Sequence, residues 1–254
     1  MIIFGVILSL LIIVDVETTS NKRIIGGKTT SINQYNHHVA INADGTYICG
    51  GSIISERHIL TAAHCYRLYT TYTVRYGSSF HDDFGTLVYV THFYLHPYYY
   101  MVTASNGNEY PKNDIAIFKL KDVIKFGNHA NKIDLPEPNY EPTVGFSATL
   151  TGWGNEYFAP TNQLKRAYLP IMRNVDCAKI WIPVNVYDTN ICASVNAEDS
   201  ACTGDSGGGL VLNGKVIGIA SWTIENCATG TSSKPNVFAR VSKYFWWIQE
   251  QLKK

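Results

Sequence analysis

From Lys28 to about Leu135 the apolar residues come in short bursts, each cut off by a turn-forming residue. Val39-Ala40-Ile41 and Ile53-Ile54 are strand-like, and Asp44-Gly45, between Ile41 and Tyr47-Ile48, has the chemistry of a two-residue hairpin loop. Thr73-Val74-Arg75-Tyr76 alternates and stops at Gly77. Residues 87–90 follow Gly85, and 115–120 open on Asn113-Asp114. A proline-rich segment, Leu135-Pro136-Glu137-Pro138 with Pro142, reads as the connection between two halves. A second set of bursts follows at 148–151, 210–212, 216–220 and 237–241, with Asn213-Gly214 as another two-residue hairpin loop. Only the last segment repeats at helical spacing. Tyr244, Ile248 and Leu252 recur at i+4, Ser242 precedes them as a cap, and Lys253-Lys254 suit the negative end of the helix dipole. The pattern predicts an all-β class, barrels or a sandwich, with one terminal helix.

Residues 1–14 are a single apolar run ended by Asp15. The run is shorter than the roughly 20 residues of a membrane-spanning helix and fits a secretory signal, although no Lys or Arg precedes it. A signal-anchor or a buried N-terminal strand are the alternatives. A polar stretch, Glu17 to Arg23, ends in Lys22-Arg23 just before Ile24-Ile25-Gly26-Gly27, where a basic pair reads as a processing site. The formal charge of +1 gives no electrostatic case for nucleic acid or for an anionic membrane. Six cysteines, an even number, agree with export and three disulfides, for which spacing alone leaves about 15 pairings open. No C-x-x-C or H-E-x-x-H spacing points to a metal.

Candidate chemistry gathers at Cys202-Thr203-Gly204-Asp205-Ser206-Gly207-Gly208-Gly209. The glycines leave the backbone unshielded, so Ser206 can sit on an exposed turn whose N–H groups stabilise an oxyanion. Asp205, if buried, needs a cationic partner. Ordinary turn chemistry is the competing explanation of the octapeptide. A serine nucleophile needs a base, and the base needs an orienting group. His64 lies in Leu60-Thr61-Ala62-Ala63-His64-Cys65, where small alanines allow close packing beneath the ring and a cystine would pin it. The other seven histidines, the pair His37-His38 and His96 among them, are expected at the surface or satisfied. Asp114, at the mouth of an apolar strand, is the candidate orienting carboxylate.

Taken together, Ile24-Ile25-Gly26-Gly27, Thr61-Ala62-Ala63-His64-Cys65, Asn113-Asp114-Ile115-Ala116, Thr151-Gly152-Trp153-Gly154, Gly204-Asp205-Ser206-Gly207-Gly208 and Ser221-Trp222 carry a resemblance. From Ile24 to Lys254 the sequence resembles the chymotrypsin–trypsin family of serine endopeptidases. That resemblance implies two packed antiparallel six-stranded β-barrels and a C-terminal α-helix, with the active site in the cleft between the barrels. The corresponding boundaries are a signal peptide at 1–16, an activation peptide at 17–23, and barrels at 24–137 and 138–254. It implies Ser206 as nucleophile, His64 as base and then acid, and Asp114 as the group fixing the imidazole tautomer. The N–H groups of Gly204 and Ser206 would form the oxyanion hole. The implied disulfides are Cys49–Cys65, Cys177–Cys192 and Cys202–Cys227. Cleavage after Arg23 by a protease of trypsin-like specificity would free the Ile24 ammonium to pair with Asp205, so the intact chain would be an inactive zymogen. The implied partners are protein or peptide substrates and protein protease inhibitors, the location is extracellular, and no cofactor or metal is implied.

The specificity pocket departs from the trypsins. Six residues before the nucleophile, where they carry Asp, stands Ser200. A Lys or Arg side chain would enter unpaired, so tryptic specificity is not expected. The two usual wall glycines are Thr223 and Asn236 here. The favoured reading is a shallow pocket for small or medium apolar residues. Its alternative is a pocket too blocked or polar for ordinary peptides, with the protein a weak or silent homologue that binds proteins through the same cleft. Three further departures are Gly209 where the family usually has Pro, which would loosen the turn after the nucleophile; a tyrosine-rich segment from Tyr98 to Asn113, longer than in trypsin, which would overhang the cleft or bind a partner, or else be a solvated loop; and a short loop after Gly77. In that loop Asp82-Asp83 reads as a surface acidic pair rather than a calcium site.

Overall fold

The computed structural model describes residues 27–154, 162–194, 199–223 and 234–254. Strand β1 (Lys28–Thr29) comes first, then β2 (His38–Ala43), β3 (Thr46–Ile53), β4 (His58–Thr61), β5 (Tyr72–Tyr76) and β6 (Thr86–Leu95). A separate hairpin of β7 (Tyr100–Thr103) and β8 (Glu109–Lys112) precedes β9 (Ala116–Leu120). Six of these strands close an antiparallel barrel in the order β2-β3-β4-β9-β6-β5. The second half supplies β10 (Ser147–Gly152), β11 (Lys165–Met172), helix α1 (Asn174–Trp181), β12 (Asn190–Ala193), β13 (Gly209–Leu212), β14 (Lys215–Trp222), β15 (Asn236–Arg240) and helix α2 (Phe245–Gln251). There β10-β13-β14-β15-β12-β11 form the second six-stranded barrel, closed because β11 pairs with both β10 and β12. The architecture is therefore two barrels and not a sandwich.

The hairpin loops behave as their residues require. Asp44 and Gly45 lie at φ 49° and 82°, Asn213 and Gly214 at 50° and 73°, the left-handed pair that matches the twist of the flanking strands. The chain ends cross over between the halves. β1 pairs with β11 of the second barrel, while Tyr244 and Ile248 near the C-terminus pack into the same apolar cluster as Val39, Ile41 and Ile117 of the first. His96 of the first half meets Tyr244 at 5.1 Å and Trp247 at 5.3 Å between ring centroids. Each of these two segments thus packs on the opposite barrel.

Four expectations are corrected. Helix α1 exists although only the last segment reads as helical; it buries just Cys177 and Trp181, too few positions to leave a periodic signal, and is held by the Cys177–Cys192 disulfide. Ser242 does not cap α2: it sits in a 3-10 turn, Val241–Lys243, and its hydroxyl donates to the Tyr140 carbonyl at 2.8 Å. The 98–113 segment is a paired hairpin rather than a loop, turning at Gly107 (φ 83°) and lacking alternation because most of its residues are exposed. His37 and His38 are neither at the surface nor satisfied. His38 is 1 % exposed, and neither of its ring nitrogens, nor His37 Nε2, has a hydrogen-bond partner among the described residues. Strand β2 is buried along its whole length, so side chains on both faces lose water. Burial pushes the His37 ring down to about 4 and the His38 ring to about 3.

Candidate active site

The His64–Asp114 pair is assembled from two distant segments of the first barrel. Ala62 and Ala63 are fully buried, so the 3-10 turn Ala63–Cys65 lies tight against the core and turns His64 outward. The Cys49–Cys65 disulfide ties this turn to β3. Asp114 is presented by Asn113, which adopts φ 52° and is gripped from both sides. Its side-chain Nδ2 donates to the Tyr98 carbonyl at 2.7 Å and its Oδ1 accepts from the Tyr244 hydroxyl at 3.1 Å. Asp114 Oδ1 accepts the His64 backbone N–H at 2.9 Å, and Oδ2 accepts from His64 Nδ1 at 2.7 Å. The Ser221 hydroxyl also donates to Oδ2. With Nδ1 occupied as donor, His64 Nε2 is the nitrogen left to take up a proton. Burial works against a charged ring, but Asp114 beside it outweighs that and raises His64 above its usual 6.5.

The loop carrying Ser206 is clamped between the barrels. Gly204 and Gly207 take φ 97° and 76°. At Gly207 a Cβ would lie 2.2 Å from Thr61 Oγ1 and 2.6 Å from the Gly50 carbonyl, so no side chain fits there. Gly50 N–H donates to the Ser206 carbonyl at 2.8 Å, and Gly207 N–H to the Ala220 carbonyl at 2.9 Å. Among the described residues the N–H groups of Gly204 and Ser206 have no partner. The loop lies against Thr61 and Cys65, which flank His64 in sequence, yet no hydrogen bond joins Ser206 to His64 among the described residues. Such bonds commonly form only when substrate is bound. Gly209 does not loosen the turn: it begins β13, and a Cβ there would sit 2.4 Å from Ser52 Oγ.

Asp205 is buried at 1 % exposure. Its carboxylate accepts from Gly154 N–H at 3.0 Å and Cys202 N–H at 2.8 Å. Burial raises it to about 6, against the pull of those amides and of Lys165. Arg23, Ile24, the activation and signal segments and Cys227 lie outside the described residues; Cys202 is disulfide-bonded. The nearest approach to a metal-ligand cluster among the described residues, Cys49, His64 and Cys65, has both sulfurs locked in a disulfide. Asp82 and Asp83 are an exposed pair, and each accepts a local hydrogen bond, from Asn162 Nδ2 at 3.0 Å and Phe84 N–H at 2.7 Å.

Beside Ser206 opens a cavity of about 260 Å³, bounded by 201–203, 205–206, 220–223 and 236–238. Ser200, expected at its base, is buried behind Asn236 and does not line it. Asn236 Nδ2 donates to Thr223 Oγ1 at 2.7 Å and to Ser200 Oγ at 3.3 Å, while its Oδ1 accepts the Ala201 N–H at 2.9 Å. The three pocket residues are thus brought together, with Asn236 as the floor. This bridge has no local signature in the sequence, and neither do the Ser221 contact with Asp114 and the hydrogen bond from the Tyr47 hydroxyl to the Gly204 carbonyl, because those pairs are far apart in the chain.

The family model for trypsin matches residues 24–248. The chain belongs to the trypsin family of serine endopeptidases. It is 34 % identical over 233 residues to trypsin delta of Drosophila erecta, covering 89 % of this chain and 87 % of that one. It is 32 % identical over 238 residues to trypsin 5G1 of Aedes aegypti, covering 91 % and 85 %. Among solved structures, the scabies mite inactivated protease paralogue S-D1 superposes with a TM-score of 0.77 at 26 % identity, covering 90 % of this chain and 97 % of that one. In this family a buried carboxylate, an imidazole and a serine on a glycine loop are the parts of an acyl-transfer site, and its substrates are proteins.

Proposed function

We propose that the chain is a secreted endopeptidase, active after cleavage at Arg23, that cuts after small or medium apolar residues. The carrying observation is the His64–Asp114 contact at 2.7 Å, completed by Ser221 and set against the Ser206 loop. In this reading Ser206 Oγ attacks the scissile carbonyl while His64 Nε2 takes its proton. The tetrahedral oxyanion is received by the N–H groups of Gly204 and Ser206. His64 then protonates the leaving amine, and water repeats the sequence on the acyl-enzyme. Asp114 keeps the proton on Nδ1 and offsets the imidazolium charge.

Asp205 supports the activation step. A carboxylate this deeply buried is costly to ionise, and the ammonium of Ile24, freed at Arg23, is a cation that would relieve it. The pocket supports the specificity: Asn236 presents an amide there, the Asp205 carboxylate on the boundary is held by the Gly154 and Cys202 amides, and Asn236 with Thr223 takes up space that a long side chain needs. The precursor would not cut its own Arg23 and would depend on a tryptic protease; Ile24 appearing as N-terminus in pure precursor would overturn the pocket reading. Residues 1–16 would serve as signal peptide and 17–23 as activation peptide, with protein protease inhibitors as further partners. A fluorophosphonate probe tests the enzyme: Ser206 is labelled after cleavage at Arg23, and a cleaved, folded chain that stays unlabelled ends the proposal. One observation favours a second reading, a silent binding homologue: Asn236 and Thr223, joined by a hydrogen bond, project two polar side chains at the cavity beside Ser206.

A further inference from the structure

Strand β3 grips the Ser206 loop at two points. Its Gly50 N–H holds the carbonyl of Ser206 at 2.8 Å, and its Tyr47 hydroxyl donates to the carbonyl of Gly204 at 2.5 Å. These are the carbonyls of the two residues whose N–H groups remain without partners. The Gly204–Asp205 peptide is then fixed at both ends, since Asp205 N–H donates to the Cys202 carbonyl at 3.0 Å. The Tyr47 ring is itself held in place. It stacks on His81 at 4.7 Å and meets Trp153 edge-on at 5.9 Å, the tryptophan next to the Gly154 amide that binds Asp205. The hydroxyl stays a donor at any working pH, because burial, and then the nearby Asp205 charge, push it well above 10. Gly204 sits at φ 97°, where a glycine has alternative conformations of similar energy, so its peptide is the joint in the loop most in need of an external restraint.

We propose that Tyr47 is a positioning residue for the oxyanion hole: its hydroxyl holds the Gly204 carbonyl, and through it the orientation of the Gly204 and Ser206 amides. The proposal rests on the oxyanion role given to those amides above. Tyr47 does not line the cavity beside Ser206. Its loss should lower turnover while leaving ground-state binding alone.

The test compares the cleaved wild-type enzyme with Tyr47→Phe and with a chain carrying 4-aminophenylalanine at 47, which keeps a donor at the same reach. Tyr47→Phe should lower kcat by about 10- to 100-fold with KM changed less than about threefold. Affinity for a peptide aldehyde, whose adduct carries the oxyanion, should fall in parallel. The amino variant should stay within about tenfold of wild type. Hydrogen exchange at the Asp205 amide supplies a readout that does not need activity: Tyr47→Phe should speed it at least about tenfold while β9 amides stay unchanged. Unchanged exchange together with unchanged kcat and aldehyde affinity overturns the proposal. A wild-type chain that never labels with fluorophosphonate sinks the enzyme reading instead, and the exchange result still decides the clamp. If Tyr47→Phe does not fold, a loss beyond about 100-fold in the amino variant is the overturning result.

Discussion

On one side of Ser206, His64 and Asp114 spend their hydrogen bonds on fixing each other and leave one nitrogen facing outward. On the other side, Asn236, Thr223 and Ser200 spend theirs on one another and on the Ala201 N–H. The first cluster is arranged to exchange a proton with something that is not yet there. The second is closed on itself and offers a ligand little but shape. In the function proposed above, chemistry and selectivity are therefore separable: His64 and Asp114 are set for proton transfer, while Asn236 and Thr223 narrow a cavity of about 260 Å³.

The harshest way to break this contrast is Asp114→Asn. An amide in that place accepts no proton-bearing Nδ1 as well and favours the wrong tautomer, so kcat should fall by the order of 10⁴, the loss associated with this carboxylate in serine proteases of the same family. The acid limb of kcat/KM should also move. In wild type it should lie above 6.5 because Asp114 raises His64, and in the variant, with burial left to act alone, it should drop below that value. A limb that stays put would show that Asp114 does not set the base.

Acid stability probes the barrel contact behind the same loop. His37 and His38 titrate near 6.5 when unfolded and near 4 and 3 when folded. The unfolded chain takes up protons first, so their contribution is intact above pH 6.5 and is lost as pH falls towards 3. For His38 alone the loss at pH 3 is on the order of 5 kcal/mol. Asp205 acts in the opposite sense. Raised from 3.8 to about 6, it costs the fold stability at neutral pH and returns on the order of 3 kcal/mol as pH falls through that interval. The two histidines outweigh it, so urea midpoints should fall from pH 7.5 to pH 4, and His38→Gln should flatten the slope. Midpoints that do not fall would mean that these rings are hydrated in solution.

The mildest intervention sharpens the comparison from the pocket side. Asn236→Gly removes the floor and its bridge to Thr223, so the kcat/KM ratio of a Leu or Phe substrate over an Ala substrate should rise by about tenfold or more. The loss of the hydrogen bond to Ala201 should cost about 1–3 kcal/mol of stability, read by denaturant titration. An unchanged ratio would place the limit on side-chain size elsewhere than at Asn236.

Much of the fold was legible along the chain because it is written locally. Short apolar bursts between turn residues encode strands, and Asp44-Gly45 and Asn213-Gly214 encode hairpins through their left-handed backbone. The glycine loop at Ser206, the small alanines before His64 and the aspartate at the mouth of β9 are likewise local signals. Helix α1 was not legible, since two buried residues make no period and a disulfide supplies what periodicity lacks. The pocket floor was half legible: the residues were named, but not that Asn236 would reach across to both of the others.

What the sequence by itself determined is the element types, the all-β class and the reactive groups, all of which depend on neighbours a few positions away. Only the tertiary structure decided which groups meet. The closing of two barrels brings Tyr47 to Gly204, Ser221 to Asp114 and Asn236 to Ser200. The same closing strips water from both faces of β2 and leaves the His38 ring nitrogens buried without a hydrogen-bond partner among the described residues. The reason is physical: a hydrogen bond at 3 Å depends on position in space, and contacts between residues remote in the chain are set by how apolar faces pack. No local pattern records that.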